Sequence, residues 1–331
     1  MQYRPLGTSS FNVSILGFGG WQIGDSSYWG DDRPVEPDRV VGAALDAGIN
    51  LFDTAEVYGD GQSEIALGKA LGTRREEVYL VSKVPPHNCA PDVLRASCED
   101  SLRRLGTDRI DLYLVHWPCR DVAFEESAAV LDALLAEGKI RAVGVSNFGP
   151  EDLSDWTASG KCVANQIGYN LLFRAAEYDM LPACVSHDVG TLIYMPLMQG
   201  ILTGRWTDVE AIPKMRRRTR HFHKDRFGVT HGGDGCEDLL FDTLQGIRTV
   251  ADDVGMPMTT LALAWVLHQP GVSSALMGTR YPDQLSQNIA AADVVLDDDT
   301  LARLDVATAP LKEVLGPNPD MWRTGEEARI R

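Results

Sequence analysis

No stretch of this chain approaches the ~20 consecutive apolar residues that a membrane-spanning helix needs, so no transmembrane segment is read from it. Cations are few: 31 Lys and Arg against 47 Asp and Glu leave a formal net charge of −16. That balance speaks against a nucleic-acid partner, because phosphate recognition needs cations clustered over a broad face. Cysteine is sparse and scattered. Cys89, Cys98, Cys119, Cys162, Cys184 and Cys236 stand singly with no C-x-x-C spacing, which argues for reduced thiols and against a zinc site. The opening MQYRPLGTSSFNVSILG has no continuous apolar core and no small-residue cleavage site, so no secretory signal is read and a cytoplasmic protein is expected. A Rossmann fingerprint is missing as well. GFGGWQIG fits G-x-G-x-x-G only with relaxed spacing, and no acidic residue follows at the required distance.

What is present is the composition of a globular protein, 331 residues of which 44% are apolar and 24% charged. Short β-rich apolar runs at 15–18, 49–53, 78–82, 110–116, 142–146, 163–167, 191–195 and 272–276 alternate with amphipathic helical runs at 38–47, 63–71, 91–105, 125–137, 150–159, 177–187 and 281–291. Prolines ahead of the helical runs (Pro37, Pro91, Pro150) and glycines behind them (Gly48, Gly138) punctuate the units. Eight β-then-α units predict a single α/β domain over 1–331, a (β/α)8 TIM barrel. Between Met195 and Val272 the chain runs long, with a polar loop and helical stretches at 237–254 and 259–268. In a barrel this insertion follows the seventh strand, on the face where active sites are built. The segment YRPLGTSSFNVS reads as an N-terminal hairpin able to plug the opposite face.

With these strands, Asp53, Lys83, His116, Ser146 and Asn147 fall at strand ends on one rim, and Tyr58 sits in the glycine-rich loop beyond Asp53. A phenol with a reference pKa of ~10 exchanges protons poorly near neutrality, and an adjacent ammonium would lower that value. Lys83 can supply the charge and Asp53 the counter-ion that keeps Lys83 protonated. His116 could hydrogen-bond a substrate oxygen and turn it toward Tyr58, which would act as a general acid toward a carbonyl.

In order along residues 3 to 310, the pieces GINLFDTAEVYGDGQSE, VYLVSKV, DLYLVHWP, GKIRAVGVSNF, NQIGYNLLFR, YMPLMQGILTGRW and GTRYPDQLSQNIAAAD resemble the aldo-keto reductase family, with YNLLFR and HFHKDRF most similar to its bacterial inositol-utilisation branch. The resemblance implies an NAD(P)H-dependent oxidoreductase that reduces a small-molecule aldehyde or ketone, in some cases sugar-like, by hydride transfer without a metal. The family's catalytic tetrad is present as Asp53, Tyr58, Lys83 and His116. By resemblance, Gly20, Trp21 and Asp53 would border the nicotinamide, and Ser146, Asn147 and Gln166 would bind its carboxamide. Tyr194 would stack beneath the ring. Met195, Pro196, Leu197, Gln199, Gly204 and Arg205 would approach the pyrophosphate. Gly278, Thr279 and Arg280 would meet the adenosine 2′-phosphate, with Gln284, Gln287 and Asn288 beside it and the adenine. A planar guanidinium suits phosphate, so NADP is expected over NAD. Trp21, Tyr58, His116 and Trp117 would line the substrate pocket, as could Trp29; the alternative for Trp21 is a core aromatic. Met195 replaces a frequent serine, and Gln284 stands where some branches carry a second arginine.

The basic stretch KMRRRTRHFHKDR, 214–226, has two readings, a loop that folds over the dinucleotide and a solvated surface segment. His221 and His223 within it lack the acidic neighbours of a metal site. Two other functions compete with carbonyl reduction: a nicotinamide-nucleotide-binding redox-sensing subunit with little turnover, and a Schiff-base enzyme using Lys83. The sequence leaves the oligomeric state open.

Overall fold

Eight strands pair in parallel, and the last closes on the first. A computed structural model describes residues 1–30 and 33–331. Strands β1 (Tyr3–Pro5) and β2 (Asn12–Ser14) form an antiparallel hairpin. The barrel strands are β3 (Leu16–Gly19), β4 (Leu51–Asp53), β5 (Tyr79–Val84), β6 (Ile110–Val115), β7 (Ile140–Ser146), β8 (Ala164–Gly168), β9 (Gly190–Tyr194) and β10 (Val272–Gly278). Strands buried on both faces need no polar side, which is why the sequence shows apolar runs there and not alternation.

Two apolar clusters divide the interior. Outward-facing strand residues pack against the surrounding helices. Inward-facing Leu51, Val81, Leu112, Leu114, Ala142, Ala164, Leu192 and Leu276 fill the barrel, and Leu6, Phe11 and Val13 of the hairpin close its N-terminal end. The expected barrel and its hairpin plug are therefore observed.

Several boundaries differ from expectation for local reasons. β5 runs on to Val84, so Lys83 lies within the strand and not after it. The helix expected over 177–187 is confined to Met180–Ser186. A longer helix would put Pro182 in its interior, costing a backbone hydrogen bond, whereas the shorter one keeps it in the first turn. The insertion carries helices Glu237–Asp253 and Met258–His268. The second is apolar all round because it is buried all round. No single helix among the described residues is long and apolar enough to cross a membrane.

Sequence reading did not anticipate the helix Asp298–Leu315. It starts where the Asp297 carboxylate accepts the Thr300 N–H at 2.9 Å. Thr300, Leu304, Thr308, Leu311 and Leu315 give it a buried stripe, and it packs on Glu237–Asp253.

Candidate active site

The polar residues expected on one rim do converge there. Lys83 Nζ, fully buried, donates to Asp53 Oδ1 at 2.8 Å, to the Thr54 carbonyl at 2.8 Å and to the Tyr58 hydroxyl at 3.3 Å. The second carboxylate oxygen of Asp53 accepts from Gln166 Nε2 at 2.8 Å. The Tyr58 ring lies 5.8 Å from His116, edge to face, and stacks at 5.6 Å on Trp21.

The Tyr58 loop owes its path to two left-handed glycines. Gly59 has φ 58° and Gly61 φ 85°. A side chain at Gly59 would meet the Gly24 carbonyl oxygen at 2.2 Å, and one at Gly61 would meet Arg104. Ser63 Oγ ties the loop's far end to the Gly20 carbonyl at 2.7 Å.

Burial governs the protonation states. It pushes the Tyr58 phenol well above its usual value of 10.0, and the Asp53 carboxylate pushes in the same direction. This reverses the expected lowering by Lys83. The ammonium already faces Asp53 and a carbonyl oxygen, so its field at the phenol is largely offset. Desolvation also lowers Lys83, against the attraction of Asp53. His116 is driven well below 6.5, first by burial and then by the Lys83 charge, so its imidazole is neutral at neutral pH.

A cleft of about 700 Å³ opens over this cluster and runs toward β10. Trp21, Asp53, Tyr58, His116, Trp117, Ser146, Asn147, Gln166 and Tyr194 line it at the tetrad end, with Trp29 in the same wall. Met195, Pro196, Leu197, Gln199 and Arg205 line it after β9, and Gly278, Thr279, Arg280, Gln284, Gln287 and Asn288 at and after the end of β10. Gly20 and Gly204 are not in its lining. Gly20 is turned to Asp53 and Ser63 by backbone and side-chain hydrogen bonds, and Gly19 takes its place in the wall. Gly204 is a left-handed turn residue whose carbonyl accepts from Arg248 at 2.5 Å.

Other expected side chains are engaged within the protein. Ser146 Oγ donates to the Gln166 carbonyl at 2.9 Å, and Asn147 Nδ2 to the His116 carbonyl at 3.1 Å. The Tyr194 hydroxyl donates to Asn147 Oδ1 at 2.6 Å, while its ring stacks at 6.4 Å on Trp322. Arg280 donates to the Gly30 carbonyl at 2.5 Å.

The basic stretch is folded into the protein. Arg216, Arg217, His221 and Phe222 are buried, and Arg216 and Arg218 line the cleft. Arg217 pairs with Glu210, and Arg226 with Glu210 and Glu237. His221 bonds Thr219 Oγ1 and the Leu172 carbonyl, and burial lowers it to about 4. Among the described residues no group of His, Cys, Asp and Glu is arranged to hold a metal.

One part of the wall went unread in the sequence. Trp322, Arg323 and Arg329 of segment 316–331 line the cleft, with Trp322 at 5.8 Å from Trp117 and the Arg329 guanidinium 3.6 Å over the Trp117 ring. The tryptophan and two arginines were the available signal, in a stretch without periodicity.

A closed barrel that presents a buried ammonium–carboxylate pair to a phenol at its C-terminal rim defines a class of barrel enzyme equipped for proton transfer. Residues 15–309 match the aldo/keto reductase family, and this chain belongs to that family. It is 36% identical over 297 residues to the Bacillus subtilis aldo-keto reductase YhdN, covering 86% of this chain and 87% of that protein. It is 34% identical over 324 residues to the NADH-specific methylglyoxal reductase of Escherichia coli, covering 90% and 95%. The crystal structure of a Klebsiella pneumoniae aldo/keto reductase in complex with NADP and acetate matches with a TM-score of 0.72 at 32% identity, covering 93% and 96%.

Proposed function

We propose that this chain reduces an aldehyde or ketone to the alcohol with NADPH, and that Tyr58 donates the proton. The observation that carries the reading is the Tyr58 hydroxyl, 3.3 Å from Lys83 and kept protonated by its surroundings.

The cleft suits an extended, anionic dinucleotide. Six arginines line it and Asp53 is its only carboxylate among the described residues. The buried Trp29 Nε1 and Arg218 Nε, both on residues of its wall, have no acceptor among the described residues. Arg205, Arg216 and Arg218 would hold the pyrophosphate, and Arg280 with Thr279 the 2′-phosphate. When bound, the nicotinamide supplies a hydride to the carbonyl carbon. Neutral His116 can donate one N–H to the substrate oxygen and fix its direction. Tyr58 can then pass its proton to that oxygen as negative charge develops on it. Lys83, 3.3 Å from the Tyr58 hydroxyl, can donate a hydrogen bond to the phenolate left behind, and Asp53 keeps Lys83 charged in a site that would otherwise discharge it. Gln166, by donating to Asp53, holds the carboxylate in register with Lys83.

The preference for NADPH rests on Arg280 and on the NADP of the Klebsiella neighbour, with the NADH specificity of the Escherichia coli relative as the counterweight. Steady-state rates with NADPH and NADH across aldoses, inositol-derived ketones and aromatic aldehydes test the reading. Nucleotide binding without turnover of any carbonyl would favour a nucleotide-sensing subunit instead.

A further inference from the structure

Six arginines face one cleft in a chain whose net charge is −16. Asp53, the only carboxylate in the wall among the described residues, is engaged by Lys83 and Gln166 and does little to offset them. Arg205, Arg216, Arg218 and Arg280 suit the dinucleotide phosphates. The other two, Arg323 and Arg329, belong to segment 316–331 and stand beside Trp322, whose ring meets Trp117 and Tyr194 at the tetrad end.

These two cations are not equivalent. Arg329 donates through Nε and Nη2 to both oxygens of Asp320 at 2.8 Å, so its charge is neutralised and its flat face covers Trp117. Arg323 gives Asp320 only its backbone N–H, at 3.2 Å. No carboxylate among the described residues pairs with its guanidinium, and the residue stands half-buried in the cleft wall.

The segment is built to hold Arg323 in place. Buried Asp320 accepts the backbone N–H groups of Trp322, Arg323 and Arg329. Arg220 donates to the carbonyls of Leu315 and Asn318, and the Asn318 amide donates to the Arg323 carbonyl at 2.8 Å. Backbone held this way costs little further entropy when a ligand binds.

We propose that Arg323 is a specificity-determining residue that selects carbonyl substrates carrying an anionic group, a carboxylate or a phosphate, at the end away from the reacting carbon. The assignment rests on the carbonyl-reductase reading of the site. A partly desolvated guanidinium gains a charge-assisted, bidentate contact with such a group, whereas a neutral substrate gives it nothing.

The test compares succinic semialdehyde with butanal, and glyceraldehyde phosphate with glyceraldehyde, in the wild type and in Arg323→Gln and Arg323→Lys. The wild type should favour the charged member of at least one pair in kcat/KM, and which pair shows the preference distinguishes carboxylate from phosphate. Arg323→Gln should raise KM for that charged substrate by about tenfold or more, leaving the neutral one and the NADPH Kd unchanged. Arg323→Lys should recover part of the loss, and added salt should erode the preference of the wild type only. Equal handling of charged and neutral substrates by the wild type, or an Arg323→Gln effect shared by both, overturns the proposal. If no carbonyl is reduced, the carbonyl-reductase reading falls. Quenching of tryptophan fluorescence by succinate then still tests the arginine, and equal affinity of wild type and Arg323→Gln overturns it.

Discussion

Inward-facing positions of the barrel strands are apolar at one end of the molecule and polar or ionisable at the other, and the change takes a single step of the strand repeat. On β4, Leu51 belongs to the cluster that fills the barrel and Asp53 lies two residues on. On β5, Val81 is followed by Lys83; on β6, Leu112 and Leu114 are followed by His116; on β8, Ala164 is followed by Gln166. Side chains at i and i+2 share a face, so both ends come from one pattern. The apolar end is thus part of the chemistry. Packed leucine and valine under the rim exclude water, and exclusion of water is the first cause of the shifts at Tyr58, Lys83 and His116.

Substitutions at the two ends should fail in different ways. Lys83→Met removes one member of a buried pair and leaves Asp53 without its cation. It should cost about 3–5 kcal/mol in denaturant unfolding and abolish reduction as well. Tyr58→Phe should lower turnover by about 10² to 10⁴-fold while NADPH binding and the denaturation midpoint stay put; full turnover in that variant would remove Tyr58 from the role. At the apolar end, Leu114→Ala should destabilise by about 3 kcal/mol, read as a lower urea midpoint, with the pH–rate profile of the remaining enzyme unaltered. A changed profile would mean that the two ends are coupled more tightly than packing alone requires.

A smaller effect concerns acid. An exposed imidazole takes up its proton near 6.5, whereas folded His221 resists until about 4. Between those values the unfolded chain binds more protons, so stability falls as the pH falls through the window. His116 and His231 are shifted in the same direction and add to the slope. Replacing His221 with Gln should flatten the fall in stability between pH 6.5 and 4, measured by urea titrations at each pH; an unchanged slope would place the acid sensitivity elsewhere.

The rim was legible in the sequence because each of its residues sits at the end of an apolar run, so strand period alone brings Asp53, Lys83, His116 and Ser146 to one face. The direction of the Tyr58 shift was not legible. It depends on Lys83 being engaged from two other sides, at Asp53 and the Thr54 carbonyl, and spacing does not show that. Stretch 214–226 could not be resolved by charge count, since burial of Arg216 and Arg217 is set by Gln199, Glu210 and two tryptophans brought up by the fold. Segment 316–331 was invisible for a related reason. Trp322 and Arg329 reach the cleft through Asp320, Arg220 and Arg120, and the last two lie about a hundred and two hundred positions away.

A sheet closed on itself exposes no flank for another chain to join. Every barrel strand has a hydrogen-bonded neighbour on both sides. The only other sheet among the described residues is the hairpin, with strands three residues long, and β1 ends in Pro5, which has no N–H to offer. Growth by strand addition, the route from open sheets to fibres, thus lacks a template of useful length. Contacts between folded copies must be made through side chains of the helices and loops outside the barrel.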